Sequence, residues 1–412
     1  FACSFAIGQN SICIGEQLSV SSKTLGETRS ISVYLPDSYY DSTLKATDYP
    51  VVYLLDGETN FNYFSTLMEK LAQGIPNVPE MIVIGIENTQ RERDFGSDGD
   101  RFWQFMADEL IPLVKKQYRC SDFRILVGHS LSGLAVVSAL NKHTELFNAY
   151  IAHDPSLWWG ENDGERLFEA NKGKDFKHRI FYLSYSGKKV RNNGRSRHHK
   201  AIEAVQAMAA KGAFKNLETY FVEYPNENHG TVQVIGNMDL MRRLFAEMFI
   251  DRNDIEKNPA IIQQRYEALS KRLHHKFEPS ERYLRNTEKW REKVKSEKWE
   301  VKSLFLFISI LFLFKSPLQE VWGVESGMPS VVICPVELYI FGFFAGSFQG
   351  FISFTRIGYR YHIIDITVIE TEFCFPFELA HTLYIGRPTY RDSFGKSIGE
   401  AIHHIQSSNR PH

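Results

Sequence analysis

Residues 123–140 read FRILVGHSLSGLAVVSAL: a short apolar run, then Gly128, His129 and Ser130, then a helix-like run of small and apolar residues. The first part reads as a buried strand and the last as a buried helix. A serine at the tip of such a strand–turn–helix unit projects its Oγ at the carboxyl end of the strand, where the helix N-terminus presents free backbone N–H groups. Those groups suit an anionic oxygen. The GxSxG pattern has glycines on both sides because the turn is crowded. Here Gly128 and Ser130 are followed by Ser132, with Gly133 one place later, a GHSxSG variant. Ser130 is the candidate nucleophile, and the N–H of Leu131 the first candidate oxyanion donor.

The surrounding chain repeats this character. YPVVYLLDGE (49–58), MIVIGIEN (81–88), NAYIAHDP (148–155), RIFYLSYSG (179–187) and LETYFVEY (217–224) are apolar runs, of the kind that strands buried on both faces carry. Between them FNYFSTLMEKLAQG (61–74), RFWQFMADELIPLVKKQY (101–118) and HKAIEAVQAMAAKG (199–212) have helical patterns. Strands alternating with helices predict an α/β fold, a mostly parallel sheet covered on both faces, with the nucleophile on a middle strand. Residues 17–36 alternate polar and apolar, as half-buried antiparallel strands do.

A serine hydroxyl needs a base within hydrogen-bond reach to attack an ester. His229, in ENHGTV after the last parallel strand, is in the right place in the chain order nucleophile, acid, base. His129, beside the nucleophile, is expected to pack beneath the turn. The acid is less plain. The loop after the strand ending at Gly187 reads GKKVRNNGRSRHHK and holds no carboxylate. Asp154, in HDPSLWW one strand earlier, keeps the order and is favoured; Glu227, two residues from His229, and a dyad with an orienting group such as Asn192 are the alternatives. The second oxyanion donor is expected from the turn after the first buried strand, at Gly57 or Glu58.

The chain has 412 residues and a formal charge of −1, so no global field steers it toward nucleic acid or an anionic membrane. Five dispersed cysteines, Cys3, Cys13, Cys120, Cys334 and Cys374, include no CxxC pair, which argues against a zinc ribbon or a dense disulfide framework. With no HExxH, no phosphate loop and no dinucleotide glycine triplet, neither a metal nor a cofactor is expected. FACSFAIGQ at residues 1–9 reads as the end of a secretory signal with residues 1–8 as its remnant, which predicts a secreted or periplasmic protein. Residues 9–250 are expected to form the α/β domain and residues 251–302, rich in Lys, Arg, Glu and Trp, a helical appendage with a solvated face. Residues 303–412 form an unassigned apolar tail. SLFLFISILFLF (303–314) has 12 residues, short of the ~20 that span a bilayer. The tail over 303–354 is a candidate for membrane contact, against which Pro335, Glu337 and Gln349 argue.

DYPVVYLLDGETNF, MIVIGIENTQRERDF, ADELIPLVKKQYR, VGHSLSGLAVVSALNKHTELFNAYIAHDPSLWW and ENHGTV, in this order, resemble the Putative esterase family related to esterase D, and especially its branch of enterobactin- and salmochelin-type siderophore hydrolases. The resemblance covers roughly residues 15–250. It implies an α/β-hydrolase fold and a serine esterase with Ser130 and His229 in the catalytic positions, some members being similar in using a Ser–His dyad. After RERDF the chain departs from the family, with a longer loop shortened to GSDGD, which leaves the substrate open. Residues 256–295 resemble the helical extension of some secreted members; residues 303–412 resemble nothing recognised.

Lys188, Lys189, Arg191, Arg195, Arg197 and Lys200 follow a parallel strand and are expected to rim the mouth of the site. With Trp158 and Trp159 they would suit an anionic aromatic ester such as an iron-loaded catecholate. The rival expectations are a carbohydrate or feruloyl-type esterase and a non-catalytic member that binds a ligand or partner.

Overall fold

The computed structural model describes residues 13–96, 99–187, 196–321, 349–357 and 360–369, with side chains to residue 306. The predicted signal remnant, Cys3, Cys334, Cys374, Lys188, Lys189, Arg191, Asn192 and Arg195 lie outside the described residues. The chain divides into two units, residues 1–317 and 318–412.

The first unit opens with β1 (Glu16–Ser22) and β2 (Glu27–Tyr34), followed by β3 (Tyr49–Leu55), α1 (Gly57–Ala72) and β4 (Ile82–Ile86). Next come α2 (Arg91–Phe95), α3 (Asp100–Phe105), a π-helical turn over Met106–Leu110 and α4 (Ile111–Gln117). The predicted helix over 101–118 is thus one run widened at its middle. β5 (Cys120–His129), α5 (Leu131–Lys142), β6 (Ala149–His153), α6 (Trp159–Ala170), β7 (Asp175–Ser186), α7 (Arg197–Ala210), β8 (Lys215–Tyr224) and α8 (Val232–Leu244) complete the alternation. The sheet order is β1-β2-β4-β3-β5-β6-β7-β8. β1 and β2, and β2 and β4, pair antiparallel; every later pairing is parallel. β5 lies between β3 and β6 with Tyr53 opposite Leu126 and His129 opposite His153, so the ends of all three strands meet at one edge.

The period-two geometry of a strand divides the core between the two faces. Val51, Tyr53 and Leu55 of β3 join Phe102 and Trp103 of α3, Leu134 of α5 and Phe168 of α6. Val52 and Leu54 point the other way, to Phe64 of α1 and Leu240 of α8. All seven residues of β3 are buried, which explains its unbroken apolar run, and each large apolar side chain so covered contributes about 1.5–3 kcal/mol.

The appendage corrects its reading as a mainly solvated helical face. α9 (Arg252–Lys257), α10 (Ile261–Arg272) and the start of α11 (Glu281–Val321) put Ile255, Ile262, Tyr266, Leu269, Phe277 and Tyr283 into the second core face. Ile262, Tyr266 and Leu269 are one turn apart on one face of α10, the spacing of an amphipathic helix. Arg272 clamps the helix down, donating to Glu247 at 2.7 and 2.8 Å and to the Leu244 carbonyl at 2.6 Å. The helices therefore belong to the α/β unit, with no boundary at residue 250. The 303–314 run lies in α11, and among the described residues no helix is long and apolar enough to cross a membrane. In the second unit β9 (Gln349–Ile357) and β10 (Arg360–Ile369) pair antiparallel.

Candidate active site

Ser130 stands between β5 and α5 with φ 60° and ψ −116°, a left-handed posture that costs of the order of 1–3 kcal/mol and that the surroundings must impose. They do so through three backbone bonds: Ser130 N–H donates to the His153 carbonyl at 3.0 Å, and its carbonyl accepts from Ser156 at 2.9 Å and Leu134 at 3.1 Å. Gly128 is required because a Cβ there would collide with the Ser132 carbonyl. The turn aims Oγ at His229, whose Nε2 is 3.0 Å away, and 3.4 Å from the Ser156 hydroxyl.

His229 lies on the loop before α8 with its side chain about half exposed. Its Nδ1 is 2.7 Å from Asp154 Oδ2. Asp154, at φ 43° just beyond β6, is almost fully buried. The remaining capacity of its carboxylate is filled: Ser186 donates its N–H to Oδ1 at 3.2 Å and its hydroxyl to Oδ2 at 3.0 Å, and His198 Nε2 lies 2.7 Å from Oδ1. Burial opposes the charge, but the hydrogen bonds from His198 and His229 outweigh it and hold the carboxyl well below the usual carboxylate range. A carboxylate only accepts, so Nδ1 of His229 carries the proton and Nε2 is free to take one from Ser130. The structure thus brings Ser130, His229 and Asp154 together, and the carboxylate at Nδ1 of His229 is that of Asp154, not of Glu227.

His129 departs from its expected place beneath the turn. Its ring lies 4.6 Å from that of His229, and its Nε2 donates to the His229 carbonyl at 2.6 Å. Burial, with the nearby His229, lowers its pKa to about 4, so it holds the loop as a neutral ring. His153 is a second neutral ring, fully buried and lowered by desolvation to about 4. It accepts at Nδ1 from Ser184 Oγ at 2.7 Å and faces Asn237 Oδ1 through Nε2 at 2.8 Å.

On the other side of Ser130, Asp56 follows β3 at φ 55° and stands at the N-cap position of α1, its side chain making no capping bond to the helix. Arg91 of α2 grips its carboxylate at 2.7 and 2.9 Å, Asn88 donates at 2.6 Å and Ser132 Oγ at 2.6 Å. Burial raises the pKa of Asp56, but Arg91 and Ser132 more than offset it, leaving the carboxyl below its ordinary value. Gly57 is pressed on β4, where a Cβ would come 2.6 Å from the Gly85 carbonyl carbon. Gly57 and Glu58 open α1, and Leu131 opens α5, so their N–H groups are among those a helix leaves without an internal partner. The Glu58 carboxylate itself is turned to Asn88 at 2.6 Å.

Trp158 and Trp159 follow Ser156, their rings 6.3 Å apart. Trp158 is partly exposed, whereas Trp159 packs against the core. The backbone kinks immediately after, at Gly160 and Asn162, and Arg197 donates to Gly160 O and Asn162 Oδ1, each at 3.1 Å. Arg197 is therefore a strap between α7 and α6. Among the described residues no three His, Cys, Asp or Glu side chains are grouped to hold a metal ion.

An IroE-like serine hydrolase from Shewanella oneidensis is similar in structure, with a TM-score of 0.61, 31 % identity, and coverage of 68 % of this chain and 95 % of that one. An uncharacterised protein from Capnocytophaga ochracea shares the fold at 20 % identity and a TM-score of 0.53, over 66 % of this chain and 78 % of its own. The ferri-bacillibactin esterase BesA of Bacillus subtilis is 28 % identical over 145 residues, covering 27 % of this chain and 50 % of the relative. The chain thus spans about half the length of that curated relative. The Putative esterase family model matches residues 22–232, just over half of the chain and all three residues gathered at the turn, and the protein belongs to that family.

Proposed function

We propose that the protein is a serine hydrolase of carboxylic esters that works through an acyl-enzyme on Ser130. The observation that carries the reading is the unbroken line from Ser130 Oγ to His229 Nε2 at 3.0 Å and from His229 Nδ1 to Asp154 Oδ2 at 2.7 Å. Oγ attacks the ester carbonyl carbon as its proton passes to Nε2. The imidazolium is stabilised by Asp154, and the carbonyl oxygen gains charge against the N–H of Leu131 and that of Gly57 or Glu58. Collapse breaks the acyl–oxygen bond, with the alcohol leaving on the proton from Nε2. Water then attacks the acyl group, giving its proton to the same nitrogen, and the acid and free Ser130 are released.

The substrate class we propose is a siderophore-type ester. The name of the Bacillus subtilis relative supports it, as do the partly exposed Trp158 and the basic residues 188–200 of the sequence.

The test is labelling of the full chain by a fluorophosphonate probe, with the labelled peptide identified by mass spectrometry. Ser130 should be modified, and neither Ser130→Ala nor His229→Ala should react at the wild-type rate. A folded protein that takes no label would overturn the nucleophile. For the substrate, Arg191→Gln with Arg195→Gln should raise KM for an iron-loaded catecholate triester more than for a neutral ester. Equal effects, or faster turnover of a feruloyl sugar ester, would remove the siderophore reading.

A further inference from the structure

His198 is a titratable partner of Asp154, with Nε2 2.7 Å from Oδ1, to which the ester chemistry above gives no role. It is the second residue of α7, and that helix start is fixed. Ser196 Oγ accepts from the His199 N–H at 3.3 Å and meets His199 Nδ1 at 2.8 Å, while His199 Nε2 donates to the Ser186 carbonyl at 2.8 Å. Ser186 is the residue that also donates twice to Asp154. The His198 side chain is 17 % exposed against 53 % for His229, so the two imidazoles meet the same carboxylate from a sheltered and an open side. Their rings are 6.2 Å apart and perpendicular.

Since Ser186 already holds both carboxylate oxygens, the orientation of Asp154 does not need His198. What His198 adds is a further N–H on a buried anion. The stabilisation that an imidazolium at His229 draws from Asp154 shrinks as other donors share the carboxylate. We propose that His198 is a positioning residue that takes a share of the Asp154 charge, so that His229 gives up its proton more readily and works as a base at lower pH. The inference rests on the reading of Ser130, His229 and Asp154 as the working set. Among the described residues, the titratable groups facing His198 and His229 include His199 on the same helix as His198, with ring centroids 5.4 Å apart, and His129, whose ring lies 4.6 Å from that of His229; the Arg197 charge is turned to α6.

The test is a titration of His229 by NMR in the full chain labelled at histidine, its signal assigned with His229→Gln, alongside the pH profile of kcat/KM. In His198→Leu the midpoint of His229 should rise by about one pH unit, a tenfold gain in proton affinity, and the acid limb should move with it. His198→Gln, which keeps an N–H in the Nε2 position, should bring both back toward wild type. If His198→Leu does not fold, His198→Asn, too short to reach Oδ1, takes its place. An unchanged or lowered midpoint, with only thermal stability or kcat reduced, would make His198 a packing residue and overturn the proposal. The NMR titration needs no turnover, so a failure of the esterase reading would appear separately, as absent labelling of Ser130.

Discussion

Asp56 and Asp154 flank Ser130 from the two strands next to it, and both hold their backbone in the left-handed region, at φ 55° and 43°. Each is buried, each is anionic, and each is fully supplied with donors. They differ in what they face. Asp56 meets a guanidinium, which keeps its charge at every pH of interest, together with Asn88 and Ser132. Asp154 meets two imidazoles, which titrate. In the proposed mechanism the same posture at the end of a strand would serve on one side to fix backbone N–H groups and on the other to accommodate a proton in transit. Between neutral pH and about 4.5 only the second side should respond to pH, since Asp56 stays charged until well into the acid range.

The largest expected effect tests that contrast at its centre. Asp154→Asn keeps the shape of the side chain but removes the charge that stabilises an imidazolium, and kcat for ester hydrolysis should fall by about 10⁴. A loss below tenfold would make the pair with His229 incidental.

Stability against acid comes next. His153 is held neutral, with a folded pKa of about 4 against 6.5, so the unfolded chain binds its proton first. Its contribution is intact above about pH 6.5 and is lost as the pH falls toward 4, to the extent of about 3 kcal/mol. Urea unfolding at pH 7.5 and 4.5 measures this, and His129 adds in the same sense. The Arg91–Asp56 side loses its own contribution only at lower pH, below the ordinary carboxylate range, because the Asp56 carboxyl is held below its usual value; in native-state hydrogen exchange between pH 7.5 and 4.5, acid should therefore loosen the β6–β7 ends before the β3–α1 turn. Equal loosening would break the contrast.

Asp56→Asn should lower kcat by about 10², the scale of one displaced oxyanion donor. Smaller still, Ser132→Gly restores the common motif but deletes the hydroxyl bridge from the nucleophile turn to Asp56. It should reduce kcat about tenfold with KM unchanged and cost about 1 kcal/mol in thermal unfolding. A gain in kcat would show that the bridge restrains the turn.

Much of this was legible in the residues. The buried runs, Ser130 and His229 each have a local signature, and Asp154 was reachable by chain order once the loop after β7 was seen to lack a carboxylate. His198 was not: it sits in GRSRHHK, which reads as a basic rim and a helix start, and its partner is 44 positions away. Contacts between loops of different strands leave no periodic trace. The Arg91 grip on Asp56 was hidden for the same reason, although RERDF itself stood out. For α10 the sequence reads as helical, but a helical pattern does not name the surface that the helix covers.

The packing of the segment beyond residue 244 bears on where the protein can be divided. Phe123, near the foot of the strand that ends at Ser130, has its ring 5.1 Å from Phe277, 5.4 Å from His275 and 6.2 Å from Phe245, all beyond the last residue that the family model matches. The span that defines kinship and the span that folds are therefore different lengths of chain. A gene fragment cut at residue 232 would encode Ser130, Asp154 and His229 intact, yet would leave β5 unseated at the end opposite Ser130.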